Sequence, residues 1–209
     1  MFWALKQLAV PLRYLRIREG EGFFLSKRVY DYMLPAIATS LTGAVFGAAG
    51  LPISLSSAPA LVDKVGSLVQ LMSAFYLAAL AAVSTFDRKG LDDPVKNAGS
   101  PVTLKMLDAD TGKPVPRELT NRQFICYLFG YLSYMSLILF VISSIATVLL
   151  ESNIDGALVH FMQKTDLGWA LDAGLFAGFY FLTWQLVVTS LFGIYVLADR
   201  LQFLDDKSH

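Results

Sequence analysis

Cysteine occurs once, at Cys126, in a chain of 209 residues. No intrachain disulfide can form, and no paired Cys and His spacing offers a zinc site. Charge is scarce too. Only 16% of residues are Asp, Glu, Lys or Arg while 55% are hydrophobic, against roughly 25% and 45–50% in an average soluble domain. The 17 basic and 17 acidic residues cancel, so no global basic surface exists and direct contact with nucleic acid is not expected. An uninterrupted signal-peptide core is also missing, because Lys6, Arg13, Arg16 and Arg18 break the apolar residues near the start. The N-terminus is therefore expected to be retained.

Long uncharged stretches are what the sequence has instead. A helix needs about 20 apolar residues to cross a hydrocarbon core of roughly 30 Å. Four stretches free of Asp, Glu, Lys and Arg meet that need: Tyr32 to Val62, holding a crossing at about 33 to 54, then Val65 to Phe86, Gln123 to Leu150 and Ala173 to Ala198. Six basic residues precede the first (Lys6, Arg13, Arg16, Arg18, Lys27, Arg28), seven lie between the second and third, and Arg200 and Lys207 follow the fourth. The opposite side has Lys64 and Lys164. This asymmetry puts both termini in the cytoplasm of a multi-pass inner (plasma) membrane protein.

The expected plan is an all-α four-transmembrane-helix bundle with an N-terminal amphipathic helix and a cytoplasmic β-hairpin insert. Residues 1–28 form the interfacial segment, 29–86 the first two crossings and 87–122 the cytoplasmic loop. Residues 123–198 hold the last two crossings around an outer loop at 151–172, and 199–209 the tail. That outer loop is acidic at both ends and apolar between, including Trp169, so its middle is expected at the outer interface.

In lipid, helices associate through small residues and interhelical hydrogen bonds. Gly43 and Gly47 form a GxxxG in the first span, and Gly174 and Gly178 another in the fourth. Gly66, Gln70, Ser73, Ala74, Ala78, Ala81 and Ser84 form a stripe in the second span, continued in the fourth by Gln185, Thr189 and Gly193. These faces are expected to turn inward, and GxxxG also suits self-association into a homo-oligomer. Gln70 and Gln185 with Ser and Thr would suit a pore lining equally. Trp184, mid-span, reads as a helix contact. Because no ionisable residue falls inside any span, proton-coupled transport, pumping and voltage sensing are disfavoured. The spans also lack the matched broken segments of inverted-repeat transporters. Pro35 is expected to bend the entry of the first span.

On the cytoplasmic side, Phe2, Leu5, Leu8, Leu12 and Leu15 recur at helical spacing, with Trp3 at headgroup level and Lys6, Arg13 and Arg16 facing anionic lipid. Ser26 is a candidate N-cap. Between residues 87 and 122, Val102, Leu104 and Met106 alternate with Thr103 and Lys105. The turn-rich Asp108 to Gly112 and then Pro114 to Pro116 follow, which predicts a β-hairpin with a loop of five or six residues. An isolated hairpin is marginal in water, so its apolar face must pack on the bundle, on a neighbouring subunit or on a cytosolic partner.

Asp108, Asp110 and Gly112 do not make a calcium loop, since Lys113 and Leu119 stand where an EF-hand requires its Gly and Glu. Asp108, Asp110 and Glu118 have neither a nucleophile nor a nearby His, His160 lacks a second ligand, and Cys126 reads as packing. No catalytic constellation emerges, so enzymatic activity, a cofactor and a metal are not expected.

The plan of a basic amphipathic N-terminus, four spans, one cytoplasmic insert and no catalytic motif resembles the small membrane components of bacterial anti-phage operons, in particular the membrane subunits (KwaA) of the Kiwa defence system. The resemblance implies a sensor that oligomerises in the inner membrane, detects disturbance at phage attachment and engages a cytosolic DNA-binding partner of the KwaB kind. By position and exposure, the partner-binding candidates are Asp108, Asp110, Lys113, Arg117, Glu118 and Arg122, and the packing or oligomer candidates Gly43, Gly47, Gly174 and Gly178. The expected function is thus a non-enzymatic membrane sensor or scaffold. The alternative is a pore-forming or membrane-permeabilising effector.

Overall fold

The computed structural model describes residues 7–17, 27–51, 53, 59–85, 90–97, 100–107, 113–151 and 166–200. Four α-helices are present among them: α1 (Leu34–Ala48), α2 (Pro59–Thr85), α3 (Asn121–Glu151) and α4 (Asp166–Tyr195). Three are long and apolar enough to cross a membrane, over Pro59–Thr85, Asn121–Leu149 and Ala170–Ala198. Their outward faces carry Leu68, Leu71, Phe75, Leu137, Val141, Ile145, Leu175, Leu191 and Ile194, all exposed. Helices of a water-soluble bundle carry polar residues there, so these faces suit lipid.

The α1 helix is shorter than the expected crossing and ends earlier. Gly50, at φ 69, adopts the left-handed conformation that glycine accepts without a Cβ clash. Around it, Leu51 N–H donates to Phe46 C=O at 2.9 Å and Gly50 N–H to Gly47 C=O at 3.1 Å. This paired pattern closes a helix C-terminus, and Pro52 follows it. At the other end, α1 is preceded by a π-helical turn, Val29–Met33. Pro35 has no N–H to offer the carbonyl four residues back, at Asp31, and the backbone widens where that bond would fall.

The chain divides into two compact units. The first comprises Met1–Asp31, Ala74–Tyr134 and Thr189–His209. Its core includes Tyr14, Tyr76, Phe124, Leu128, Phe129, Tyr131 and Leu132. Gly193 lets α4 approach α3 closely, since a Cβ there would meet Phe129, Leu132 and Leu128 at 3.5 to 3.7 Å. The second comprises Tyr32–Ser73 and Met135–Val188, with Val62, Val69, Leu139, Phe176, Phe179 and Leu186 at its core. In it, Phe46 of α1 meets Phe176 edge-on at 5.4 Å, and Trp184 Nε1 donates to Thr42 Oγ1 at 2.9 Å. Trp184 thus makes the helix contact expected of it.

The inward face of α2 differs from the expected stripe. Val62, Gly66, Val69, Ser73, Tyr76 and Val83 are buried, whereas Gln70, Ala74, Ala78, Ala81 and Ser84 are exposed. Both faces are apolar enough for lipid, so size and hydropathy alone could not choose between them.

Near the N-terminus, Val10–Arg16 is a 3₁₀ helix with Pro11 in its first turn. It buries Tyr14 and Ile17 and leaves Leu8 exposed, where the expected α-helical face had run through Leu8, Leu12 and Leu15. Three residues per turn set the buried pair at i and i+3. Residues 1–6, with Phe2, Leu5 and Lys6, lie outside the described residues, as do Ser26 and His160.

The insert between α2 and α3 folds as a hairpin. β3 (Thr103–Leu107) pairs antiparallel with β4 (Pro114–Glu118), from Thr103 opposite Glu118 to Leu107 opposite Pro114. The loop is therefore six residues, 108–113, as the sequence pattern predicts. Ahead of it a short ladder, β1 (Lys96–Asn97) with β2 (Ser100–Pro101), fills what the sequence had suggested was loop.

Candidate functional site

Of the predicted partner-binding residues, Lys113, Arg117 and Glu118 lie on the hairpin and Arg122 in the first turn of α3, and the geometry begins at the hairpin's root. Thr120 and Gln123 cap α3 reciprocally: Gln123 N–H donates to Thr120 Oγ1 and Thr120 N–H to Gln123 Oε1, each at 3.3 Å. This is the S/T-x-x-E/Q capping box, legible in the sequence as Thr120-Asn121-Arg122-Gln123 and missed there. Asn121 Nδ2 donates to Gly90 C=O at 2.9 Å and Asp93 C=O at 3.2 Å. Its own N–H donates to Asp93 C=O at 3.0 Å, and Arg122 N–H to Leu91 C=O at 2.7 Å. The buried Asn121 amide thus pins the returning loop to the first turn of α3 by satisfying two of its backbone carbonyls.

Above this root most of the described apolar residues of the insert are buried, Val115 being exposed. Leu91, Val95, Val102, Leu104 and Leu119 are each 3% exposed or less, while the Met106 side chain lies outside those described. Val95 N–H donates to Leu119 C=O at 2.8 Å, Val102 N–H to Val95 C=O at 3.1 Å and Leu119 N–H to Val102 C=O at 3.0 Å. A hairpin rooted in these buried apolar residues meets the stability requirement that an isolated one fails.

Charged side chains are exposed along both faces of the hairpin and at its loop. Lys105, Lys113, Arg117 and Glu118 are exposed. Arg122 grips Asp92 with both ends of its fork, Nε to Oδ1 at 3.0 Å and Nη2 to Oδ2 at 3.3 Å, so it serves the loop as well as the surface. Asp108 and Asp110 lie outside the described residues. Pro114 and Pro116 have no N–H to donate, which hinders addition of another strand along β4. Any partner would therefore meet the hairpin through side chains.

Among the described residues, a Cβ added at Gly43, Gly47, Gly174 or Gly178 meets no atom within 4 Å. Gly66 is the close approach in the second unit, where an added Cβ would stand 3.0 Å from Ser143 Cβ.

A third arrangement escaped the sequence reading. Lys27 and Asp31 are buried and ion-paired one helical turn apart. Lys27 Nζ also donates to Tyr14 C=O at 2.9 Å and lies 3.5 Å from the centre of the Tyr14 ring, which stacks on Tyr131 at 5.0 Å. Burial raises the Asp31 carboxyl above its ordinary range, while the charge and hydrogen bond of Lys27 pull it back. The signal was present as an i, i+4 pair of opposite charges, but in the sequence Lys27 counts only toward the charge asymmetry and Asp31 is not singled out.

No family model, curated protein or solved structure matches this chain. The functional reading therefore rests on the geometry and on the sequence plan. Among the described residues no three His, Cys, Asp or Glu side chains gather to hold a metal.

Proposed function

We propose that the protein is a non-enzymatic inner-membrane scaffold or sensor that crosses the bilayer four times and offers the exposed charges of its hairpin to a cytosolic partner. The observation that carries this reading is the insert itself. Leu104 and the flanking Val95, Val102 and Leu119 are buried inside the chain, the backbone is tied to α3 through Asn121, and Lys105, Lys113, Arg117 and Glu118 stay exposed. A loop that served merely to join two helices needs no such construction.

Three of the crossings are α2, α3 and α4, and the fourth is α1. The 15 residues of α1 rise roughly 22 Å, short of the hydrocarbon thickness, a mismatch that local thinning of the bilayer accommodates. With four crossings the basic N-terminus, the hairpin and the C-terminus share the cytoplasmic side, as the distribution of Lys and Arg requires. The 3₁₀ segment with its exposed Leu8 lies at the inner interface as an anchor. Self-association runs through the glycines of α1 and α4, where an added Cβ meets nothing among the described residues. Anti-phage defence, with a KwaB-like partner, is the setting that the resemblance to Kiwa membrane subunits implies.

The test is affinity capture from native membranes, comparing wild type with Lys113→Glu plus Arg117→Glu and recording proton leak on the same cells. The expected result is a stoichiometric cytosolic partner for wild type, at least tenfold less for the variant, equal membrane insertion and no leak. Leak without a captured partner would replace this reading with the permeabilising effector.

A further inference from the structure

We propose that Arg13 and Arg16 form a binding site for the headgroup of an anionic phospholipid in the inner leaflet, held in place by the buried Tyr14, Lys27 and Asp31 anchor. This rests on the reading above that the chain spans the membrane with its N-terminus inside.

The 3₁₀ helix Val10–Arg16 sets residues three apart on one face. Arg13 and Arg16 therefore share a face, and both are exposed. Tyr14 and Ile17 share another, and both are buried. Neither arginine has an acidic partner among the described residues. Their backbone positions are one turn apart, about 6 Å along the axis, a spacing that lets two guanidinium forks converge on the oxygens of one phosphate.

The segment is fixed rather than loosely tethered. The Tyr14 ring stacks on Tyr131 of α3, its carbonyl takes a hydrogen bond from Lys27 Nζ, and Lys27 is itself held by Asp31. An anchored pair of arginines loses less freedom on binding than a flexible basic tail does. This arrangement makes the pair a site rather than a diffuse charge.

Two adjacent cations match the phosphate of a negatively charged phospholipid, and each Arg is expected to contribute about fivefold to the preference for it.

The experiment titrates detergent-solubilised full-length protein with phosphatidylglycerol, phosphatidylcholine or inorganic phosphate, counting bound molecules by native mass spectrometry. Wild type is expected to prefer phosphatidylglycerol over phosphatidylcholine by about thirty-fold, weakening as salt is raised, and to hold no inorganic phosphate. Arg13→Gln plus Arg16→Gln should lose that preference, with an unchanged melting temperature in the absence of lipid showing that it folds. Lys113→Gln plus Arg117→Gln, on the hairpin, should keep it. An unchanged preference in the Arg13 and Arg16 variant overturns the proposal, as does equal retention of inorganic phosphate, which would mark a free-anion site. Because partner capture is read at the hairpin, its failure and the failure of this site are told apart.

Discussion

Lys27 and Asp31 show what a buried ion pair does for a fold of this kind. Removing two charges from water costs several kcal/mol each, and the pairing offsets that only with good geometry. Asp31 registers the imbalance: its carboxyl is raised chiefly by burial, with Lys27 acting in the opposite direction. The folded state therefore holds the Asp31 proton more tightly than the unfolded chain does. Stability falls as pH climbs from the ordinary carboxylate range through the raised folded value. Lys27→Met is expected to cost about 3–5 kcal/mol by leaving a buried carboxylate alone, whereas Lys27→Met with Asp31→Leu should come within about 1–2 kcal/mol of wild type or exceed it. Thermal unfolding in detergent across pH 4 to 7 checks both, and the double variant should lose the part of the pH slope that Asp31 supplies. The contacts with Tyr14 mean that either single change also loosens the N-terminal segment.

At the scale of the element, the glycines separate packing within the chain from packing between chains. Gly66→Val must push Ser143 away from a 3.0 Å approach and is expected to destabilise by about 1–3 kcal/mol. At Gly43, Gly47, Gly174 and Gly178 an added Cβ meets nothing among the described residues, which makes Gly43→Ala with Gly47→Ala, and Gly174→Leu with Gly178→Leu, the variants to compare. They should leave the melting temperature within a few degrees while weakening self-association, read by light scattering after chromatography. Loss of fold with these pairs, or unchanged oligomer mass, would refute the oligomer assignment. The GxxxG spacing was legible in the sequence; the direction those glycines face was not, since a helix in lipid is apolar all round and its pattern does not point to the interior. The hairpin was legible because Val102 and Leu104 alternate with polar residues and a turn follows, so a two-residue period met a clear breaker. The early stop of α1 could have been read from Gly50 and Pro52, and the start of α3 from Thr120 and Gln123, as these signals are local chemistry. The Lys27–Tyr14 contact spans 13 residues, and no local pattern reports it.

For the whole molecule, the question that governs the rest is whether α1 crosses. Three crossings would leave the six basic residues before α1 on the side opposite the hairpin, against the charge rule, and would separate Arg13 and Arg16 from the cytoplasmic leaflet. Four crossings bring the N-terminus, the hairpin and the tail together. The most direct measurement is cysteine accessibility in intact cells: Cys126→Ser removes the one native thiol, and single cysteines are then placed at Gln7, Ser56 and Ser208. A membrane-impermeant maleimide is expected to label Ser56→Cys from outside, and Gln7→Cys and Ser208→Cys only after the cells are permeabilised. Labelling of Gln7→Cys in intact cells, with Ser208→Cys protected, would contradict four crossings and remove the N-terminal lipid site with them.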